Sequence, residues 1–259
     1  MQIDSCFLTD IGRKRQQNQD NGRCVPEKGL YIIADGMGGH RGGETASQMA
    51  VDLVCENIPD LNTTPAPSPS SRRTTLERAI TTASRHIHEY ASTHPELHGM
   101  GTTSTCVLIT DQTAHIGQVG DSRCYLLRAQ SLWQLTLDHS WIQERLRAGI
   151  ISPEQAEREL QSSRNIITRS VGYEPKVEVD IFELPLYPKD LLLLCSDGLS
   201  NLIDKAQLES VLNHGLHQGL TPERLARELI ELANQNGGDD NISALIIQVS
   251  SHPPSSLST

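Results

Sequence analysis

The sequence predicts an α+β fold in which a mainly antiparallel β-structure carries helices on both faces. Three observations lead there. Short segments rich in aliphatic and β-branched residues (KGLYIIAD, STCVLIT, TAHIGQVG, RCYLLRA, KVEVDIFEL, DLLLLCSD and NISALIIQV) are bounded by Gly, Asp or Pro and read as strands. Several are separated by turn-length gaps, Asp111-Gln112 in one case and Gly120-Asp121-Ser122 in another, which suit hairpins and leave no room for parallel crossovers. Helical periodicity is confined to two blocks, which suggests one layer on each face of the β-structure.

The first helical block runs from Glu44 to about Asn57 and, after a break, from about Thr74 to Ala91. In its second part Leu76, Ile80, Ala83, Ile87 and Tyr90 recur at helical spacing. The second block covers Lys205 to His214 and Thr221 to Gln235, the latter opening with Thr221 as N-cap and Pro222 at the first helical position. Residues 62 to 75, NTTPAPSPSSRRTT, read as a flexible connection, and residues 251 to 259, SHPPSSLST, as a disordered tail. Between Asp138 and about Val171 a polar stretch contains the capping-box start Ser152, Pro153 and Gln155, so a small helical insertion is expected at about 139 to 170. One domain over residues 1–250 accommodates all of this.

At 259 residues and 28.5 kDa the chain can bury a sizeable core without staples. Acids outnumber bases 32 to 22, a formal charge of -10, which argues against nucleic-acid partners and anionic membrane surfaces and suits hard cations. No stretch approaches the roughly 20 apolar residues of a membrane span, and the acidic start MQIDSCFLTD does not resemble a signal peptide. A cytoplasmic protein is expected. Cys6, Cys24, Cys55, Cys106, Cys124 and Cys195 are scattered singly, without a CxxC pair, as reduced core thiols would be. The positions six residues beyond them hold Gly12, Leu30, Leu61, Gln112, Gln130 and Asn201, so the Arg that a cysteine-nucleophile phosphatase needs is missing.

The densest chemical signal is Ala34-Asp35-Gly36-Met37-Gly38-Gly39-His40, directly after a strand. A dinucleotide fingerprint fails because Arg41 stands where its third glycine belongs, and Asp35 would repel a pyrophosphate. Beside flexible backbone, Asp35 can instead share a cation with a carbonyl such as that of Gly36. Taken singly, an Asp-Gly pair is a turn. Asp197 after LLLLC, Asp240 before NISALIIQV and Asp121 at a hairpin boundary repeat the arrangement, however. Four acids converging on one sheet edge demand cations, and oxygen-only ligands favour Mg²⁺ or Mn²⁺ over Zn²⁺. Arg15, in the basic stretch Gly12 to Asp20, is suited to bidentate phosphate binding.

These residues, in this order, resemble the metal-dependent Ser/Thr protein phosphatases of type 2C (the PPM family), particularly the compact bacterial members. The matching motifs are GxxRxxNxD at 12–20, ADGMGGH at 34–40, MGTT at 100–103, GDSR at 120–123, LTLDHS at 135–140, SDGL at 196–199 and GGDDNIS at 237–243. The resemblance implies two antiparallel sheets sandwiched between two helical layers, and hydrolysis of protein phosphoserine and phosphothreonine by a metal-activated water without a phosphoenzyme. It makes Asp35 the bridge between two metals, with the Gly36 carbonyl on one and Asp197 and Asp240 on the other. Asp121, with Asp197, supplies a third metal site. Arg15 holds the substrate phosphate; Asp20 supports the metal waters and orients Arg15. The insertion at 139–170 matches the flap. Phosphorylated proteins, those of a Ser/Thr kinase among them, are the expected partners of a monomer active in signalling. Gln19 stands where animal relatives often have Glu, and Met37 where they have a His proposed as general acid. His40 is a candidate for that part and equally for a structural donor. A catalytically silent phosphoprotein-binding module is the rival class, and it would have lost metal aspartates; a phosphatase for small esters or phosphoarginine is the rival within enzymes.

Overall fold

Alternation within the strands accounts for the architecture of the computed structural model, which describes residues 1–60, 69–163 and 166–250. Strands β1 (Gln2–Asp10), β7 (Arg123–Arg128), β8 (Ser131–Gln134), β10 (Leu191–Cys195) and β11 (Ile242–Ser250) form one sheet in the order β1-β11-β10-β7-β8. Strands β2 (Asp20–Val25), β3 (Leu30–Met37), β5 (Ser104–Thr110), β6 (Thr113–Val119) and β9 (Asp180–Pro185) form the second in that order, with the short β4 (Gly101–Thr102) beside β3. Pairing between the strands is antiparallel. Asp111-Gln112 is the expected hairpin, between β5 and β6, but Gly120-Asp121-Ser122 is not one: β6 and β7 belong to different sheets, and this short turn carries the chain across from one to the other.

In β10, Leu192 and Leu194 point between the sheets to meet Tyr31, Ile33, Val107, Ile116 and Leu245. Leu191, Leu193 and Cys195 point the other way, onto α6 (Lys205–His217) and α7 (Pro222–Gln235), where Leu208, Leu212, Leu225 and Leu229 complete a second core. In β3, Leu30, Ile32 and Ala34 face α1 (Gly39–Asn57) and α2 (Pro69–Thr93) through Ala46, Val54, Leu76 and Ile80. Period-two strands thus bury both faces and period-3.6 helices bury one, which yields the predicted helix-sheet-sheet-helix layering.

The insertion contains α3 (Trp141–Arg147) and α4 (Pro153–Ser163), held by a small core of Ile142, Ile151 and Ala156 with Leu146 against it. Its capping box forms as expected: Ser152 N–H donates to Gln155 Oε1 at 2.8 Å, and Gln155 N–H to Ser152 Oγ at 3.3 Å. A four-residue helix, α5 (Asp197–Ser200), follows β10 directly.

Boundaries differ from the expectation in four places. Helix α2 begins at Pro69 and not at about Thr74, so residues 69–75 of the expected flexible connection are helical, with proline at the first helical position, where its missing N–H costs nothing. Helix α1 starts at Gly39, ahead of Glu44, because the glycine-rich turn is itself wound into the first turn of the helix. Strand β9 starts at Asp180; Val177 and Val179 reach the core without joining the ladder. Strands β1, β2 and β8 were not evident from apolar runs. Residues 62–68 of the expected connection, residues 164–165 of the insertion and the expected tail 251–259 lie outside the described residues. Among the described residues no helix is long and apolar enough to cross a membrane.

Candidate metal centre

The first two carboxylates are placed by strand register. Asp20 opens β2 and pairs across the ladder with Asp35 near the end of β3. The backbone of Asp35 is gripped by the MGTT segment: its N–H donates to Thr103 Oγ1 at 2.9 Å, and its carbonyl accepts from Thr102 Oγ1 and Thr103 N–H, both at 2.8 Å. The opposite sheet supplies Asp197 and Asp240, and the crossing between the two sheets supplies Asp121. Asp197 begins α5 one residue after Ser196 leaves β10, Asp240 precedes β11, and Asp121 sits in the turn between β6 and β7. Two glycines permit the approach. A Cβ on Gly36 would lie 2.0 Å from the carbonyl oxygen of Gly43, and one on Gly198 would lie 2.0 Å from that of Asn241.

Asp35, Gly36, Asp121, Asp197 and Asp240 line one cleft of about 520 Å³, with Lys14 and Arg15 at its edge and Met37 and Ile167 on its walls. Every candidate residue except Asp20 and His40 is therefore part of a single lining. Asp20 lies behind it, 4% exposed, its Oδ2 accepting from Ser196 Oγ and Ser243 Oγ, both at 2.7 Å. That position corrects the expectation that Asp20 orients Arg15. The Arg15 guanidinium meets Asp240 instead, Nη2 to Oδ2 at 2.6 Å, while the hydrogen bonds of Asp20 run to the two serines. His40 falls in the first turn of α1, and its side chain lies outside the described residues. Gln19, noted as a departure, donates Nε2–H to the carbonyl of Gly39 at 2.7 Å.

The electrostatics of the cluster are those of acids without enough counter-charge. Burial first, and then the charges of Asp20, Asp197, Asp121 and Asp240, push Asp35 well above the ordinary carboxylate range. Burial raises Asp20 to about 7 despite the two serine hydrogen bonds, with Asp197 and Asp240 adding to the rise. Asp121 is raised to about 8 by burial and by Asp197 and Asp138; Asp197 is raised by burial and by Asp240. Neighbouring Arg123 gives little relief, because its Nε and Nη2 are held by both oxygens of Asp138 at 2.6 to 3.1 Å.

These groups fit hard divalent cations. Asp20 Oδ1 and Asp121 Oδ1 are buried without a hydrogen-bond partner, and a cation beside them would both satisfy them and neutralise the repulsion. Among the described residues no three His, Cys, Asp or Glu side chains stand where they could hold an ion unaided. Carbonyls such as that of Gly36, together with water, must complete each shell, as oxygen-ligated Mg²⁺ and Mn²⁺ sites allow.

Sequence reasoning missed the residues that support this floor: Thr102, Thr103, Ser196, Ser243, Asp138 and Asn241. Each lies inside a motif quoted above, so position was visible, but a side chain whose hydrogen-bond partner is brought to it only by folding leaves no periodic signature.

Known proteins are similar to this chain over nearly their full length. The chain is 41% identical to the serine/threonine phosphatase stp of Listeria innocua over 245 residues, covering 93% of this chain and 94% of that one. The solved serine/threonine phosphatase of S. agalactiae superposes with a TM-score of 0.86 at 35% identity, over 96% of this chain and all of that one. The catalytic domain of the serine threonine protein phosphatase PstP, solved in complex with two manganese ions, gives 0.81 at 30% identity, over 96% of this chain and 99% of that one. Residues 11–233 match protein phosphatase 2C, a span that holds every aspartate of the cluster but Asp240, and the chain belongs to that family.

Proposed function

We propose that this cleft hydrolyses phosphoserine and phosphothreonine in proteins, without a phosphoenzyme. Asp35 would help to hold two cations, together with the Gly36 carbonyl, Asp197 and Asp240, and Asp121 with Asp197 would hold a third. Mg²⁺ or Mn²⁺, when bound, supplies Lewis acidity and lowers the pKa of water so that it attacks phosphorus. The chain's own residues bind and orient. Arg15, at the mouth of the cleft, takes two phosphoryl oxygens with its planar fork once its contact with Asp240 is exchanged for the substrate. Asp20 accepts hydrogen bonds from the Ser196 and Ser243 hydroxyls on one oxygen and keeps the other, buried and unpartnered, for a water. Met37 contributes no proton, so the leaving oxygen is served by water or by His40.

The observation that supports this reading above all is a cleft lined by four carboxylates, three of which (Asp35, Asp121 and Asp197) have raised proton affinity, with an arginine at its edge. Phosphorylated proteins, including those of a Ser/Thr kinase, are the substrates, met by a monomeric cytoplasmic enzyme whose residues 1–250 form one catalytic domain and whose insertion at 139–170 flanks the cleft. Turnover of phosphoserine, phosphothreonine, phosphotyrosine and phosphoarginine peptides with Mn²⁺ and with chelator tests it. Metal-dependent release from the first two is expected. A preference for phosphoarginine or for small esters would overturn the substrate class, and turnover undiminished by chelator would overturn the site.

A further inference from the structure

A single side chain beside the acidic floor fastens both limbs of the loop that carries Arg15. Asn241, next to Asp240, is 4% exposed. Its Nδ2 donates to the carbonyls of Ile11 at 3.0 Å and Gln17 at 2.9 Å, and its Oδ1 accepts the N–H of Gln19 at 2.9 Å. Both amide protons and the carbonyl oxygen are thereby engaged, and two acceptors plus one donor admit no flipped orientation. The three bonds fall on both limbs of the loop, with Arg15 between them. The descending limb has a second anchor in Gly238, whose carbonyl accepts from Arg13 N–H at 2.7 Å and Lys14 N–H at 3.3 Å. The returning limb at Gln17 is fastened by Asn241.

We infer that Asn241 is a positioning residue for Arg15. It sets the curvature of residues 11–19, so that the guanidinium meets the phosphoryl group above the aspartates at the required distance. The side chain serves the loop alone; Asp240 is touched by the backbone N–H of Asn241, at 2.8 Å to Oδ1, which a side-chain substitution leaves in place. A phosphate clamp needs such support because a long arginine on an untethered loop loses orientation, and with it the binding energy of a bidentate contact. The inference rests on the reading of Arg15 as the phosphate-binding residue, and its test separates the two.

The test is a double-mutant cycle over Arg15→Ala and Asn241→Ala. It reads KM and kcat for a phosphothreonine peptide at saturating Mn²⁺, calorimetric affinity for inorganic phosphate, and calorimetric affinity for Mn²⁺. Asn241→Ala is expected to raise KM and weaken phosphate binding about tenfold with a smaller change in kcat, and to leave Mn²⁺ affinity within about twofold. Once Arg15 is alanine, adding Asn241→Ala should change KM and phosphate affinity by less than about twofold, because the interaction it supports is already gone. Equal losses in both backgrounds, or a loss confined to Mn²⁺ binding and kcat, would overturn the inference while leaving Arg15 its role. An Arg15→Ala variant with unchanged KM and phosphate affinity would remove the Arg15 reading itself, and this one with it. Should Asn241→Ala not fold, Asn241→Asp takes its place in the cycle, since it keeps the size and the acceptor for Gln19 and loses both donors. Failure of both to give a native circular dichroism spectrum would make Asn241 a folding residue and overturn the assignment.

Discussion

Strand β10 has an aspartate at each end, and the surroundings of the two differ in kind. Asp190, just before Leu191, is 2% exposed and fully matched: Arg128 donates Nε–H and Nη2–H at 2.8 and 2.7 Å, and Tyr187 its N–H at 2.7 Å. Asp197, two residues beyond Cys195, has Asn201 Nδ2 at 3.1 Å but otherwise faces Asp35 and Asp240, and its proton affinity rises. The same sheet therefore builds a satisfied buried carboxylate at one pole and an accumulation of unsatisfied ones at the other. The arginine closest to the unsatisfied pole, Arg123, is committed to Asp138. A buried acid kept without a counter-charge costs stability unless something from outside supplies that charge. The acidic pole is thus a binding site by the same criterion that makes the other pole structural.

The sharpest way to break this comparison is to neutralise one acid at each pole. Asp35→Asn should lower metal-dependent phosphatase turnover by at least about a thousandfold, the scale of losing a group that orients charge at the reacting centre. Its melting temperature without metal should be equal to or above that of the parent, because one source of repulsion is gone, and the upward shift given by Mn²⁺ should shrink. Asp190→Asn should do the reverse. Removing the charge opposite a bound arginine costs about 3 kcal/mol, read as a lower denaturant midpoint, with kcat and KM nearly unchanged. A destabilised Asp35→Asn, or an inactive Asp190→Asn, would mean that the two poles do not divide the labour in this way.

Proton linkage sharpens the same contrast with a smaller effect. Asp20 and Asp121 hold protons up to about 7 and about 8 in the folded chain, against about 4 for aspartate in an unfolded one. Between those limits the folded state binds more protons than the unfolded state. Its contribution to stability is therefore complete below the unfolded value and is lost as pH rises through the folded ones. Without divalent ions, denaturant unfolding should show stability falling between about pH 5 and pH 8, and Asp121→Asn should flatten the upper part of that fall. Mn²⁺ should abolish the slope in the parent, since a bound cation does the work of the protons.

The contrast between the poles was only half legible in the sequence. Asp35, Asp197, Asp240 and Asp121 stood out because each follows or precedes a strong apolar strand and sits beside glycine. The layering was legible too, since Leu191 to Leu194 and Leu30 to Ile33 are long enough to signal strands buried on both sides. Strand β2, DNGRCV, was not: its polar residues give no alternation, and it is a strand because β3 pairs with it. The family resemblance alone assigned Asp20 to Arg15, and the residues themselves gave no hint of its partners Ser196 and Ser243, 176 and 223 positions away. Nor did the sequence reveal Asp190 as satisfied, because Arg128 lies 62 residues earlier and meets it only through the β7–β10 ladder. Periodicity reports burial, but which acid receives a counter-charge is decided by long-range pairing.

The mildest test concerns the hydroxyls behind the acidic floor. Ser243 Oγ is 2.7 Å from Asp20 Oδ2 and 2.9 Å from Thr9 Oγ1, and having one proton it can donate to only one of them. The acid is the nearer and stronger acceptor, so Thr9 donates into Ser243. Ser196 Oγ makes the matching bond to Asp20 and also accepts the Ser243 N–H at 3.0 Å. Ser243→Ala removes one donor from a buried carboxyl that retains another, and should cost about 1 kcal/mol. Ser196→Ala also strands the Ser243 N–H and should cost more. Turnover should fall less than about tenfold in either case, because Asp20 stands one layer behind the cleft. If Ser243→Ala instead matched the loss in Asp35→Asn, Asp20 would belong to the reacting surface, and the acidic pole would be a five-carboxylate site with no supporting layer.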